Sequence, residues 1–250
     1  MGDRHGRKVL MSADIRNTES TESPRVIRIP AGSVTLDGEI HVPSGAEGVV
    51  LFAHGSGSSR HSPRNRLVAG QLRKAGLGTV LFDLFTAEEE RADAARGHLR
   101  FNIGLLTQRL VCAAHWIAEE DEARHQRLGF FGSSTGAGAA LVAAADLGKA
   151  ICAVVSRGGR PDLAGGALRR VKCPTLLIVG ERDTDVLELN QEACGLLDCV
   201  KDLRVVPGAS HLFEEEGALE EVSRLAADWF LEHLGHVTSS RFRRQTWPPA

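Results

Sequence analysis

The feature that most constrains this chain is a set of short runs, apolar on both faces, separated by longer amphipathic stretches. The runs are residues 48–53 (GVVLFA), 79–85 (TVLFDLF), 127–131 (RLGFF), 151–155 (ICAVV), 175–179 (TLLIV) and 203–206 (LRVV). A strand that is apolar on both faces has to be covered on both. Between the runs, apolar residues recur at helical spacing around 63–75, 101–120, 135–147, 186–198 and 214–234. In the last stretch Leu219, Val222, Leu225, Ala226, Trp229 and Phe230 form one stripe. Alternating strand and helix requires crossover connections, which predicts an α/β fold with a mostly parallel central sheet and helices on both faces. Two earlier strands, 26–29 and 34–42, read as an antiparallel edge hairpin around Ala31-Gly32-Ser33, with a further turn at Asp37-Gly38.

No linker or internal repeat divides this pattern, so residues 24–234 are expected to form one domain. Residues 1–23, rich in Ser, Thr, Glu and Arg without periodicity, read as a mobile arm, and residues 235–250 as a basic tail. The chain carries 30 basic and 32 acidic residues, a formal charge of −2. That balance gives no global electrostatic reason to bind nucleic acid or an anionic membrane. The uncharged stretch 128–145 is broken by glycines and reads as strand, sharp turn and helix rather than as a membrane span. Cys112, Cys152, Cys173, Cys194 and Cys199 form no CxxC pair. With no apolar leader at the N-terminus, reduced structural thiols in a cytoplasmic protein are expected.

Chemistry is concentrated where the apolar runs end. Gly132-Ser133-Ser134-Thr135-Gly136 follows one run directly and opens a helical stretch. A G-x-S-x-G turn between strand and helix puts its central serine on a sharp corner, with the helix N–H groups beside it. A serine hydroxyl is a poor nucleophile until a base takes its proton and an acid orients that base. Asp183 stands just past the run 175–179, and His211 just past 203–206. Ser134, Asp183 and His211 are therefore the candidate nucleophile, orienting acid and base. Asp183 has a second reading as the N-cap of the following helix, and Asp185 is an alternative acid. The glycine-rich loop His54-Gly55-Ser56-Gly57-Ser58-Ser59 supplies the other half of an oxyanion hole: the amides of Ser56 and Thr135 are the candidate donors, and His54 is expected to shape the loop.

Strand-HGSGSS, strand-GSSTG-helix, strand-GERD and strand-PGASH together resemble the α/β-hydrolase superfamily over residues 25–234. The short chain, with only residues 156–174 where a cap domain would be inserted, resembles the dienelactone-hydrolase-like branch. The resemblance implies an α/β-hydrolase fold without a cap and a serine carboxylesterase that uses no metal and no organic cofactor. Dienelactone hydrolases proper carry cysteine as nucleophile; here Ser134 stands at that position. A small-molecule ester is the expected partner. A hydrolase fold kept as a ligand-binding or interaction module is the alternative.

Arg60, Arg157 and Arg160 stand at the same strand ends and are candidates to clamp a carboxylate or phosphate on the substrate, with His61 and Arg64 close behind Arg60. His233 and His236, at HxxH spacing without a third ligand, are not expected to hold a metal. The acidic runs 88–90 and 214–216 read as solvated faces and a helix start.

Overall fold

In the computed structural model, which describes residues 23–235, each apolar run is a strand: β3 (Val49–Ala53), β4 (Gly78–Phe82), β5 (Leu128–Ser133), β6 (Ile151–Arg157), β7 (Thr175–Gly180) and β8 (Lys201–Val206). The hairpin supplies β1 (Arg25–Ala31) and β2 (Val34–His41). All eight join one sheet in the order β1-β2-β4-β3-β5-β6-β7-β8, parallel from β4 to β8, with β1 and β2 antiparallel at the edge. Ser23 and Gly235 apart, the arm and the basic tail lie outside the described residues.

One turn falls elsewhere than the sequence predicts. Asp37 and Gly38 lie inside β2, where Gly38 pairs with Ile27 on one side and Phe82 on the other. A β-carbon at position 38 would stand 2.9 Å from Phe82 Cβ and 3.1 Å from Ile27 Cγ1. Glycine is there to let strands approach, and the chain reverses only at Gly32, where φ is 68°.

The helices are α1 (Pro63–Lys74), α2 (Ala87–Arg96), α3 (Ile103–Glu119), α4 (Thr135–Leu147), α5 (Thr184–Leu196) and α6 (Ala218–Leu234). Strand alternation sorts the core into two layers. Val50, Phe52, Phe131, Val155 and Ile178 pack with residues of α1 and α6, while Val49, Leu51, Phe130, Val154 and Leu177 pack with residues of α3 and α4. Removing a phenylalanine from these layers leaves a cavity as well as lost burial, a cost of about 3–5 kcal/mol. The alanines and glycines of α4 leave it almost wholly buried against the sheet.

Of helix α2 the sequence-based expectations hold only the acidic run 88–90, read among solvated faces and a helix start, because that face offers no apolar stripe to detect. Its signature is in its caps. Thr86 Oγ1 accepts from Glu89 N–H at 3.1 Å, Glu89 Oε2 accepts from Thr86 N–H at 2.8 Å, and Gly97 ends the helix at φ 67°. Between β6 and β7 lies only a 3-10 segment, Pro161–Arg170, packed on α4 and α5, so there is no cap domain. Among the described residues, no helix is long and apolar enough to cross a membrane.

Candidate active site

Strand β5 ends at Ser133 and α4 begins at Thr135, so Ser134 alone joins strand to helix. Its backbone, at φ 49° and ψ −124°, lies in a region that costs an L-residue on the order of 1–3 kcal/mol. Three hydrogen bonds hold it there. Its N–H donates to the Arg157 carbonyl at 3.4 Å, and its carbonyl accepts from Arg160 N–H at 3.0 Å and Ala137 N–H at 3.1 Å. Neither Gly132 nor Gly136 has room for a β-carbon: the first faces the backbone of Ala137, the second the carbonyls of Ala53 and His54. One other non-glycine residue among those described has positive φ, Phe213 at 56°. It lies two residues past His211 and is almost fully buried. Both strained positions thus fall in loops that carry predicted site residues.

Asp183 stands at the N-cap position of α5, yet its side chain does not cap the helix. Its Oδ2 instead lies 2.6 Å from His211 Nδ1. A carboxylate can only accept, so Nδ1 carries the proton and Nε2 is left as a base in the neutral ring. Asp185 is exposed in the first turn of α5 and is not the histidine's partner. The ring is also placed beside the serine turn. A β-carbon on Gly158, the residue after Arg157, would lie 3.6 Å from His211 Cε1. The histidine loop is braced by Glu215, whose Oε2 accepts from Ser210 N–H at 3.0 Å and whose other oxygen pairs with Arg182. The Ser210 amide and Glu215's own N–H pull the Glu215 carboxyl down to about 2. This bracing residue belongs to a run that reads as a solvated face, and only the folded loop returns it to Ser210.

The oxyanion side differs from expectation. Gly55 crosses close over the serine: a β-carbon there would lie 2.9 Å from Ser134 Cβ. The next amide, Ser56 N–H, donates to Thr135 Oγ1 at 3.1 Å, and Ser56 Oγ reaches Thr135 Oγ1 at 3.1 Å and the Arg100 carbonyl at 3.2 Å. The Ser56 amide, expected to await a substrate oxygen, already has an acceptor within the protein. The Thr135 amide is the first N–H of α4 and has no acceptor within the helix. His54 is the buried clamp of this loop. Its Nδ1 lies 3.0 Å from the Gly55 carbonyl and its Nε2 accepts from Leu84 N–H at 2.9 Å; desolvation lowers its pKa and keeps the ring neutral.

The three candidate arginines part company. Arg60 is paired through its guanidinium with Asp83, whose other oxygen takes Arg60 N–H at 2.7 Å, so it ties the loop after β3 to the end of β4. Arg160 forks onto Asp162 with contacts of 2.8 and 2.7 Å. For both, a carboxylate of the protein fills the place expected for the substrate's. Arg157 is different: only 7% exposed, it has no hydrogen-bond partner at Nε or Nη1. Among the described residues, no group of three or more His, Cys, Asp or Glu could hold a metal ion. All five cysteines are free thiols, and burial pushes Cys173 up to about 12.

The chain is similar to the dienelactone hydrolase of Anabaena variabilis, with 54% identity and a TM-score of 0.83 over 84% of this chain and 98% of that one. It belongs to the dienelactone hydrolase family. The Pyrococcus furiosus esterase Pf2001, 20% identical with a TM-score of 0.70 over 85% of this chain and 94% of that one, shares the fold. A provisionally named phosphoribosyl transferase of Mycobacterium tuberculosis H37Rv is 55% identical over 208 residues, which are 83% of this chain and 46% of that protein. The chain thus spans about half the length of the curated relatives it matches. No family model matches it.

Proposed function

We propose that this chain is a serine hydrolase that cleaves carboxylic esters of small substrates through an acyl-enzyme intermediate. The observation that carries the reading is the closed His211–Asp183 pair at 2.6 Å, which follows the carboxyl ends of β7 and β8 as the strained Ser134 turn follows that of the parallel strand β5. Ser134 Oγ attacks the ester carbonyl while His211 Nε2 takes its proton; Asp183 keeps the ring oriented and offsets the imidazolium charge. The oxyanion is met by the Thr135 amide at the N-terminus of α4 and by the Ser56 amide as it leaves Thr135 Oγ1. His211 then returns the proton to the departing alcohol, and water, deprotonated by the same nitrogen, releases the acid. A single removed oxyanion donor typically costs about 2.7–4 kcal/mol of barrier, so the exchange at Ser56 matters to rate.

Membership of the dienelactone hydrolase family supports hydrolysis as the reaction class. The transferase name belongs to a protein about twice as long, and the serine, histidine and aspartate arrangement supports acyl transfer over phosphoribosyl transfer for the matched region. The test is a fluorophosphonate probe followed by intact mass, with turnover of p-nitrophenyl acetate measured in parallel. Single labelling that disappears in Ser134→Ala, together with turnover, is expected. Labelling without turnover would favour a binding module, and labelling elsewhere would overturn the Ser134 assignment.

A further inference from the structure

The buried guanidinium of Arg157 has no acceptor at Nε or Nη1. Along β6, Ala153 and Val155 belong to the layer packed with α1 and α6. Two residues on, Arg157 continues that face at the end of β6, beside its register partner Ser133 of β5. Ser133 Oγ donates to Asn65 Oδ1 at 3.2 Å, and Asn65 is buried in the first turn of α1. Arg64 precedes it. Its Nη1 lies 3.1 Å from the largely exposed Glu214, while its Nε is buried without a partner. The first turn of α1 holds no acidic residue, and the helix is capped by the neutral Ser62, whose Oγ accepts from Asn65 N–H.

Three buried guanidinium nitrogens therefore lack acceptors within one corner: Arg157 Nε, Arg157 Nη1 and Arg64 Nε. Glu214 reaches only Arg64 Nη1, and Asp83, Asp162 and Glu215 are engaged with Arg60, Arg160 and Arg182. Desolvation, with the like charge of Arg64, lowers the Arg157 pKa to about 10. A group that stays cationic at neutral pH, is buried and lacks a partner is a costly arrangement that an anion relieves.

We propose that Arg157 and Arg64 form a binding site for a small oxyanion, a phosphate or carboxylate group, on the α1 side of the Ser134 turn. Two routes bring such a group there: as a free ion, or as part of the ester substrate, since the Arg157 carbonyl holds Ser134 N–H and a β-carbon on the next residue, Gly158, would lie 3.6 Å from His211 Cε1. The substrate route rests on the hydrolase reading; the site itself does not.

The test uses the intact chain. Thermal unfolding is followed while inorganic phosphate, and separately acetate, is titrated at ionic strength held constant with chloride. Saturable stabilisation by phosphate is expected, with apparent affinity weakened about tenfold or more in Arg64→Gln and lost in Arg157→Gln. The Arg64 variant keeps the test valid should Arg157→Gln fail to fold, and Arg160→Gln is expected to retain the stabilisation. Stabilisation no greater than chloride gives, or unchanged in Arg64→Gln and in Arg157→Gln, overturns the site.

Kinetics then separate the sources. If the group is substrate-borne, phosphate competes with a carboxylate-bearing ester and not with its neutral analogue, and Arg64→Gln lowers kcat/KM about tenfold for the charged ester alone. If the occupant is a free ion, phosphate stabilises without competing with either. Absence of all turnover with stabilisation intact defeats the hydrolase reading and leaves the oxyanion site standing.

Discussion

The two halves of the strand-end face are prepared to different degrees. After β7 and β8, Asp183 and His211 already bond to each other, and Glu215 braces the loop between them and α6. After β3 and β4 the polar groups are equally satisfied, but by one another: Ser56 by Thr135, Arg60 by Asp83, His54 by Leu84. In the first half the acid and the base need no rearrangement to find each other. In the second, the Ser56 amide must exchange Thr135 Oγ1 for the substrate oxygen. Exchanging one acceptor for another is nearly neutral in free energy, since a hydrogen bond is worth a net of about 0.5–1.5 kcal/mol. A fold can therefore keep an oxyanion donor satisfied at rest without forfeiting it for catalysis.

The largest expected effect removes the nucleophile that both halves serve. Ser134→Ala should lose three or more decades of kcat, on the order seen when a nucleophile is deleted, with the circular dichroism spectrum unchanged. Next, Asp183→Asn should cost roughly 10³–10⁴ in kcat by disturbing the histidine tautomer, whereas Asp185→Asn stays within about twofold. Equal losses at 183 and 185 would mean that the 2.6 Å contact does not orient the base. Thr135→Val sharpens the comparison by deleting the internal acceptor. If the hydroxyl serves only to occupy the Ser56 amide, kcat/KM stays within about threefold; a loss of tenfold or more would show that the hydroxyl itself reaches the substrate.

The smallest effect concerns His54 and is read as stability. Burial lowers its pKa from the ordinary 6.5, so the unfolded chain binds the proton more tightly. Stability from this group is fully present above pH 6.5 and declines as pH falls from there toward the lowered folded pKa. Urea midpoints at pH 7.5 and 5.5 should therefore diverge more in the parent than in His54→Gln. An identical divergence would assign the acid sensitivity to other groups.

The sheet was legible because its cause is local and repeated. A run such as 175–179 is apolar on both faces, and only a covered strand tolerates that. Ser134 was legible for a related reason, since Gly132 and Gly136 mark places where backbone or carbonyls approach too closely for a side chain. Helix α2 was legible only as the acidic run 88–90, because its signal is in Thr86, Glu89 and Gly97 at its ends and not in any apolar periodicity. At Gly38 a dipeptide common in turns was read as one, although strand pairing on both sides had the stronger claim on it.

Arg157 and Arg160 mark the limit of what residue type and position convey. Both are arginines just past an apolar run, three residues apart, and the sequence offers no means to tell them apart. In the fold, Arg160 meets Asp162 two residues away, while Arg157 continues the alternation of β6 to a place where neither its Nε nor its Nη1 meets an acceptor. The Ser56 amide and Glu215 show the same limit, since their partners Thr135 and Ser210 are fixed by loop geometry. The chain by itself determined the parallel sheet, its edge hairpin and the order of serine, aspartate and histidine along the strand ends, because periodicity and close-packed turns are written in neighbouring residues. Which charges are paired, which amide is already taken and which guanidinium is left bare were decided only by tertiary structure, because a hydrogen bond depends on ångström distances between groups far apart in sequence.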